Sequence, residues 1–247
     1  MSQIVWNNCI IPGPEVEEKP FTSKYYGNSL IIPRTRSLAI EERSAPLPDR
    51  KAYRSMSRAA VLLSMACLES LPYIQPILDR DPFSIGLYCA MENGPVDLKS
   101  AAEMVGITRE EYAEQYRKSR NPKMFLMQLP NLAAAQAGIF LGIMGPLNVY
   151  NSSTFGSLHA LNQAESDLET GRIDAALVCS AFSFENPLIL ERIRRRNLND
   201  RVLCESAAAM LLRAGETRIN WTKENFDDTR AYYGISHQLV TSIIKRK

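Results

Sequence analysis

Apolar runs alternate with amphipathic patterns along most of the chain, and this alternation predicts a layered α/β fold. Four short apolar runs bounded by turn residues predict strands that are buried on both faces. These runs are 83–91, 147–151, 173–183 and 206–215. Apolar residues at helical spacing predict helices over 54–71, 129–144, 154–170 and 187–196. The order of these elements is typical of a mixed, mostly parallel sheet with helices on both faces.

Turn residues and caps mark the boundaries of these elements. Pro72 is predicted to end the first long helix, and Gly145-Pro146 the second. Thr108 and Glu111 form a capping-box pattern that predicts a surface helix in a charged segment. The remaining stretches predict a strand over 3–11, loops and short strands over 14–50, a short helix over 97–104, and a further strand beginning at 217–221.

Composition and charge exclude several classes of function. The chain of 247 residues is 45% hydrophobic and 23% charged, with a net charge of +2, as is usual for a globular protein and unlike a nucleic-acid binder. The basic runs 192–196 and 245–247 are predicted to be solvated surface. The chain has no apolar run long enough to span a membrane and no secretory signal pattern. Five cysteines without a CxxC pattern indicate a reducing cytoplasm, and two histidines disfavour a metal site.

The junction between the strand 147–151 and the helix 154–170 is the main candidate for chemistry. Thr154 lies where the helix begins, beside unpaired backbone N–H groups and the positive end of the helix dipole. A threonine hydroxyl is a weak nucleophile that needs a positioned base, and His159 is the nearest histidine. The simpler interpretation is that Thr154 caps the helix. Cys179 and Cys204 are alternative nucleophiles that we interpret as core residues.

The residues around this junction resemble the active-site region of β-ketoacyl synthases, which have the thiolase fold. Gly145-Pro146, Gly171 and Asp174 match the spacing of the family's Gly-Pro, strand, cysteine-bearing elbow and following helix. Asn121-Pro122 and the segment 131–142 resemble the dimer-interface segment and the helix after it. Residues 201–216 resemble the family's strand with the G-E-G-A motif. The resemblance covers about residues 1–240 and implies a single truncated ketosynthase-like domain over 1–247, the N-terminal half of the thiolase fold.

The resemblance also implies that the catalytic machinery is incomplete. The elbow consists of Ser152, Ser153, Thr154, Phe155 and Gly156, and Thr154 stands where the family has its catalytic cysteine. The family's two further catalytic residues come from the second half of the fold, and His237 is poorly placed to replace either. We therefore expect no catalytic residue, no cofactor and no metal, and no catalytic activity from the chain alone.

The resemblance is greatest to the chain length factor subunits of type II polyketide synthases, including the aryl polyene type. These subunits lack the cysteine, pair with a catalytic ketosynthase and close the end of its acyl tunnel in polyketide or fatty acid chain elongation. By this resemblance, Met124 falls near the dimer contact and the tunnel floor, although ordinary core packing explains it equally well. Its neighbours in the tunnel or interface are Phe125, Met127, Gln128 and Asn131. The implied partners are a catalytic ketosynthase, as heterodimer or higher assembly, and transiently an acyl carrier protein.

Two alternatives remain open from the sequence. The chain could be an acyltransferase or hydrolase that uses Thr154. It could also be one half of a split ketosynthase whose histidine-containing half is a separate polypeptide. Covalent acylation of the chain distinguishes the first alternative from a non-catalytic subunit, and the identity of the bound partner distinguishes the second.

Overall fold

The structure is a computed structural model that describes residues 2–23, 27–40, 47–49, 51–196, 198, 201–215 and 230–245. The strand predicted to begin at 217–221 lies outside these residues. The strands are β1 (Ser2–Ile10), β2 (Lys19–Ser23), β3 (Gly27–Arg36), β4 (Ile85–Met91), β5 (Leu147–Tyr150), β6 (Ala175–Phe182), β7 (Val202–Cys204), β8 (Ser206–Ala214) and β9 (Ala231–Tyr232). The α-helices are α1 (Arg58–Leu68), α2 (Leu71–Leu78), α3 (Leu98–Glu103), α4 (Arg109–Ser119), α5 (Pro122–Gln128), α6 (Pro130–Leu141), α7 (Gly156–Glu169), α8 (Pro187–Arg195) and α9 (His237–Ile244). Two short 3-10 helices span Ala52–Ser55 and Gly234–Ser236.

The main sheet has five strands in the order β1-β8-β6-β4-β5. β4 pairs in parallel with β5 and β6, whereas β8 runs antiparallel to both β6 and β1. Only β8 therefore points against the other four strands, and the predicted mixed, mostly parallel sheet is confirmed. β4, β6 and most of β8 are buried on both faces, as their uninterrupted apolar sequences predict.

Helices cover both faces of this sheet, as predicted. α1, α2 and α6 enclose one layer of the core, and α7 and α9 enclose the other. Cys67, Cys89 and Cys179 are fully buried in the first layer, where the Sγ atoms of Cys89 and Cys179 are 3.1 Å apart. Among the described residues no single helix is long and apolar enough to cross a membrane. Two helix pairs bent by 71° and 80° pass that test by length and composition only.

A second sheet, with the order β2-β3-β7-β9, was not predicted from the sequence. The strand predicted over 206–215 is confirmed as β8, but the family-like segment 201–216 also contains a second strand before Glu205. The part before Glu205 is β7 of the second sheet, and the part after it is β8 of the main sheet. The backbone of Leu38 and the guanidinium of Arg58 both donate to the Glu205 carboxylate, which is buried at this junction. A single polar side chain therefore marks the point where the chain changes sheets.

Two predicted boundaries and the predicted burial of one strand differ from the structure for local reasons. Pro72 does not end a helix but lies in the first turn of α2. Backbone N–H groups in the first turn have no acceptor within the helix, so a proline there costs no hydrogen bond. The second long helix ends before Gly142, whose φ of 72° favours glycine, rather than at Gly145. β5 was expected to be buried, yet it is the edge strand of the main sheet and is partly exposed. The capping box of Thr108 and Glu111 is confirmed at the start of α4.

Candidate functional site

The carboxyl ends of β4, β5 and β6 meet at one edge of the main sheet, where the loop 92–94 connects the surrounding elements. The Nδ2 group of Asn151, after β5, donates to the side-chain oxygen of Asn93. The Nδ2 group of Asn186, before α8, donates to the backbone carbonyl of Asn93 at 3.1 Å. The N–H of Gly94 donates to the carbonyl of Gln128 at 3.0 Å, which ties α5 to the same loop. Crevices at the carboxyl ends of parallel strands are common sites of function in α/β folds.

Gly94 is required for the close approach of α5 to this loop. A Cβ atom at this position would lie 1.9 Å from the carbonyl oxygen of Met127, far inside van der Waals contact. Any larger residue at position 94 would therefore displace α5, which carries most of the predicted tunnel residues.

The elbow is stabilised by Ser152 rather than by Thr154. α7 begins at Gly156, and the Ser152 hydroxyl accepts a hydrogen bond from the N–H of Phe155 at 3.3 Å. The Ser152 carbonyl accepts a hydrogen bond from the N–H of Gly156 at 2.7 Å. The prediction that Thr154 caps the helix is therefore wrong, because Ser152 closes the first turn. Ser153 lines a small cavity beneath the elbow.

The Thr154 hydroxyl faces Arg196, whose Nη1 group donates a hydrogen bond to Oγ1 at 2.6 Å. Within the part of the chain that the structure describes, no side chain that could accept a proton forms a hydrogen bond with this hydroxyl. A guanidinium remains protonated in proteins and cannot accept the proton that a nucleophilic hydroxyl must lose. The geometry therefore leaves Thr154 without activation.

The other candidates for nucleophile or base are also placed elsewhere. His159 lies on the exposed side of α7 near the rings of Tyr150 and Phe155, with centroid distances of 6.1 and 6.3 Å. Burial raises the pKa of the Cys179 thiol and raises that of Cys204 to about 11, so neither forms a thiolate near neutral pH. Burial lowers the pKa of His237 to about 4, which keeps this imidazole neutral beside the rings of Tyr232 and Tyr233.

Glu92 is the residue of this site that was not singled out from the sequence. It directly follows the fully buried strand β4, and its carboxylate is buried beside the small cavity beneath the elbow. Arg192 donates to Oε1 at 3.2 Å, while among the described residues Oε2 has no hydrogen-bond partner. The available signal was a carboxylate immediately after an apolar strand, which places a charge at the carboxyl end of the sheet.

Arginines of the basic run 192–196 contact both Glu92 and the elbow. Arg192 pairs with Glu92, and Arg196 contacts Thr154 from the turn after α8. Arg195 and Arg196 are both exposed, as predicted for the run, and Arg195 pairs with Glu191. Arg192 differs, because its half-buried side chain reaches the buried carboxylate of Glu92. The cavity that they leave beneath the elbow has a volume of about 10 Å³, room for no more than one water molecule.

The predicted tunnel residues divide between the two faces of α5. Met124 and Met127 are buried, three residues apart on the face towards the 3-10 helix at 52–55 and α6. Phe125 is 58% exposed and lies with Gln128 along an open groove on the other face. Asn131, in the first turn of α6, is exposed.

Removing the charge of Glu92 should change how stability depends on pH. Burial raises the Glu92 pKa from 4.5 to about 7, against the opposing effects of Arg192 and Arg196. Between these values the folded protein binds more protons than the unfolded chain, so stability should fall as pH rises from 4.5 to 7. Glu92→Gln should remove this fall and be more stable by up to about 3 kcal/mol at pH 8. Urea unfolding at pH 5, 6, 7 and 8 measures the difference.

Glu114→Gln is the control for this measurement, because Glu114 is exposed and its ion-pair partner among the described residues is Lys118, on the surface of α4. Its pH profile should follow that of the wild type. Parallel profiles for Glu92→Gln and the wild type would show that Glu92 does not titrate in this range.

A sequence profile of the β-ketoacyl synthase N-terminal domain matches residues 50–209, which is more than half of the chain. The chain belongs to the β-ketoacyl synthase family. The match includes β4, β5, β6, the elbow and most of the helices that pack on them. No curated protein matches the chain significantly.

Solved ketosynthase structures share the thiolase-like fold of this family member. The ishigamide ketosynthase/chain length factor has a TM-score of 0.56 and 19% identity over 75% of this chain and 51% of its own. A ketosynthase in complex with its chain length factor from Xenorhabdus doucetiae has a TM-score of 0.57 and 14% sequence identity. The match covers 87% of this chain and 58% of that one. A type II acyl carrier protein in complex with its hexaketide-bound ketosynthase has a TM-score of 0.57 and 16% sequence identity. The match covers 72% of this chain and 53% of that one. The chain thus spans about half the length of these structures.

Proposed function

We propose that this chain is a non-catalytic subunit of the chain-length-factor type. In this role it pairs with a catalytic ketosynthase and helps to shape the tunnel that holds the growing acyl chain in type II polyketide or fatty acid elongation. It meets an acyl carrier protein only transiently, while the ketosynthase carries out the condensation. It is a member of an enzyme complex and has no catalytic activity alone.

The observation that carries this proposal is the environment of Thr154. Chain elongation by condensation needs a nucleophile to hold the acyl group as a thioester, and a thiolate at a helix N-terminus suits that step. Here the corresponding position holds a hydroxyl that accepts a hydrogen bond from Arg196, with Glu92 and Arg192 filling the space behind it. A site with neither a base nor room for a substrate favours a structural role.

An exposed apolar surface supports association with another chain. It is formed by the end of α6, the turn after it, the turn before β4 and the start of β5, and we call it the β5 surface. Its large exposed side chains are Phe83, Ile139, Met144 and Leu147. The outer edge of β5 pairs with no described strand, so its backbone groups are open to pairing with another strand. Exposed apolar surface beside an open sheet edge is typical of a protein–protein interface.

The structures that share this fold include complexes of the kind proposed. Two of them are titled as a ketosynthase with a chain length factor, and one as an acyl carrier protein with its ketosynthase. Their sequence identities of 14–19% support the fold alone. The proposal that this chain has such partners is therefore supported by the geometry of the elbow and by the exposed β5 surface.

Thr154→Ala should leave the activity of the assembled complex within about twofold of the wild type, since the hydroxyl has no base to activate it. The wild-type chain should gain no acyl mass when it is incubated alone with acyl thioesters of a carrier protein. Intact-mass spectrometry and product formation by the complex measure these two expectations. A stable acyl adduct on wild-type protein that is lost in Thr154→Ala would instead identify a threonine-dependent acyltransferase or hydrolase.

Met124→Ala should shift the product of the complex towards longer chains, because the truncated side chain no longer limits the tunnel. Chromatography of the released products measures their length. Met127→Ala removes the same volume from an equally buried position on α5 and controls for a general loss of packing, which costs about 2–5 kcal/mol at such sites. An equal shift in both variants would assign the effect to the displacement of α5 and not to Met124.

A further inference from the structure

Asn93 and Gly94, in the loop 92–94, form the one Asn-Gly pair of the sequence. In such a pair the backbone nitrogen of the glycine can attack the side-chain amide of the asparagine, because no Cβ atom on the glycine hinders the approach. Asn93 is exposed, so water reaches its side chain. A chemical change at this asparagine therefore needs no enzyme and no reagent besides water.

The reaction converts the side-chain amide into a carboxylate in two steps. The nitrogen of Gly94 loses its proton to hydroxide and forms a bond to Cγ of Asn93. The bond from Cγ to Nδ2 then breaks, and the leaving group takes a proton from water and departs as ammonia. Water opens the resulting cyclic imide at either carbonyl. One opening gives aspartate, and the other gives isoaspartate, whose backbone runs through the former side chain.

Three hydrogen bonds hold the reacting groups in place in the folded protein. The side-chain oxygen of Asn93 accepts from Nδ2 of Asn151, and its backbone carbonyl accepts from Nδ2 of Asn186 at 3.1 Å. The N–H of Gly94, which must be deprotonated, donates to the carbonyl of Gln128 at 3.0 Å. Attack therefore requires a local opening that breaks at least the contacts of Gly94 and of the Asn93 side chain.

The two products should differ in their effect on α5. Aspartate keeps the normal backbone and an oxygen for Asn151, so the loop can keep its contacts. Isoaspartate adds a methylene to the backbone just before Gly94. There is no space for it, since even a Cβ atom at position 94 would lie 1.9 Å from the carbonyl oxygen of Met127. The lengthened loop should therefore separate Gly94 from Gln128 and loosen α5.

We propose that Asn93 is a site of spontaneous deamidation in the folded protein, with a rate set by the hydrogen bonds of the loop 92–94, and that the isoaspartate product detaches α5 from this loop. The reaction is intramolecular and uses no residue of the elbow or of the β5 surface. It is measured on the chain alone. The proposal therefore holds or fails independently of the subunit role proposed above.

Peptide mapping by mass spectrometry tests the rate on the intact chain, incubated at mildly alkaline pH with and without urea. The folded chain should convert at Asn93 at least about tenfold more slowly than the unfolded chain, because reaction waits for local opening. Asn151→Ala should accelerate the folded reaction about two- to tenfold, as expected for one lost hydrogen bond. In urea the variant and the wild type should react at the same rate.

Asn148→Ala is the matched control, because it makes the same substitution on β5 at a residue that forms no hydrogen bond with the loop 92–94 among the described residues. It should leave the folded rate unchanged. A folded chain that stays unmodified at Asn93 while the unfolded chain converts would overturn the proposal. Equal rates with and without urea, or equal acceleration by Asn148→Ala and Asn151→Ala, would overturn it as well.

Hydrogen exchange of the α5 amides tests the consequence of the reaction. Asn93→Asp supplies the aspartate product directly and should exchange like the wild type. The deamidated fraction of aged protein, purified by ion exchange, also contains isoaspartate and should exchange faster within α5. Equal exchange in this fraction and in Asn93→Asp would show that isoaspartate does not detach α5, and that part of the proposal would fail.

Discussion

Arg58→Met is expected to lower the free energy of unfolding by about 3–5 kcal/mol. The Glu205 carboxylate is 1% exposed, and Arg58 binds it through Nε at 2.5 Å and Nη2 at 2.7 Å. Methionine fills much of the same volume but leaves the Glu205 charge buried with only the N–H of Leu38 to oppose it. Because these groups join α1 to the crossing between the two sheets, the loss should affect global unfolding. Urea denaturation followed by circular dichroism measures it.

The control for Arg58→Met is Arg80→Met, which breaks an ion pair with Asp174 whose side chains are 59% and 52% exposed. That change should cost at most about 1 kcal/mol, since solvent screens exposed pairs. The double variant Arg58→Met/Glu205→Gln should recover at least about 1 kcal/mol of the loss, because it removes the unpaired charge and keeps an oxygen for Leu38. If the two losses were simply additive, the destabilisation would come from packing and not from the buried charge.

Ile139→Glu is expected to prevent the chain from co-purifying with its ketosynthase partner. Ile139 is 76% exposed on the β5 surface, so the free chain should tolerate the charge with little loss of stability. In a complex the same carboxylate would be removed from water without a partner, which costs several kcal/mol and weakens binding about a hundredfold or more. Co-expression with a cysteine-bearing ketosynthase, affinity purification and size-exclusion chromatography measure the association.

Val105→Glu is the matched control, because Val105 is 81% exposed in the turn between α3 and α4, outside the β5 surface. It introduces the same charge and should leave the complex intact. An Ile139→Glu protein that still forms the complex would exclude the β5 surface as the contact. A wild-type chain that remains monomeric beside every cysteine-bearing ketosynthase tested would contradict the subunit role itself.

The buried strands were predictable because each is an unbroken apolar run between turn residues. β4 and β6 are central strands whose side chains meet only protein, so periodicity and burial agree. β5 shows the limit of this approach, since a short apolar run does not reveal whether both of its edges are paired. The crossing at Glu205 was missed for a similar reason: its cause is Arg58, which lies 147 residues away in the chain.

The location of the candidate site was also predictable, but its contents were not. The spacing from Gly145 to Asp174 placed the elbow correctly between β5 and α7. The contacts of Thr154 could not be inferred, because Arg196 comes from the turn after α8 and Glu92 from the end of β4. Charged residues next to one another in sequence, such as Arg195 and Arg196, have different partners, which depend on how α8 packs. Such long-range pairings are properties of the fold and not of any local pattern.

The charged cluster beneath the elbow also bears on whether the proposed loss of catalysis is reversible. A Thr154→Cys change needs only one substitution, yet the thiol would lie against Arg196 above a cavity of about 10 Å³. Removing Arg196 to open space for an acyl group would also remove one of the two cations that lower the pKa of Glu92, the other being its ion-pair partner Arg192. Thr154→Cys alone would therefore leave the thiol beside Arg196 with no cavity for an acyl group. A thiol with room for an acyl group at this position would therefore need coordinated changes in three places, at the elbow, at the end of β4 and in the turn after α8.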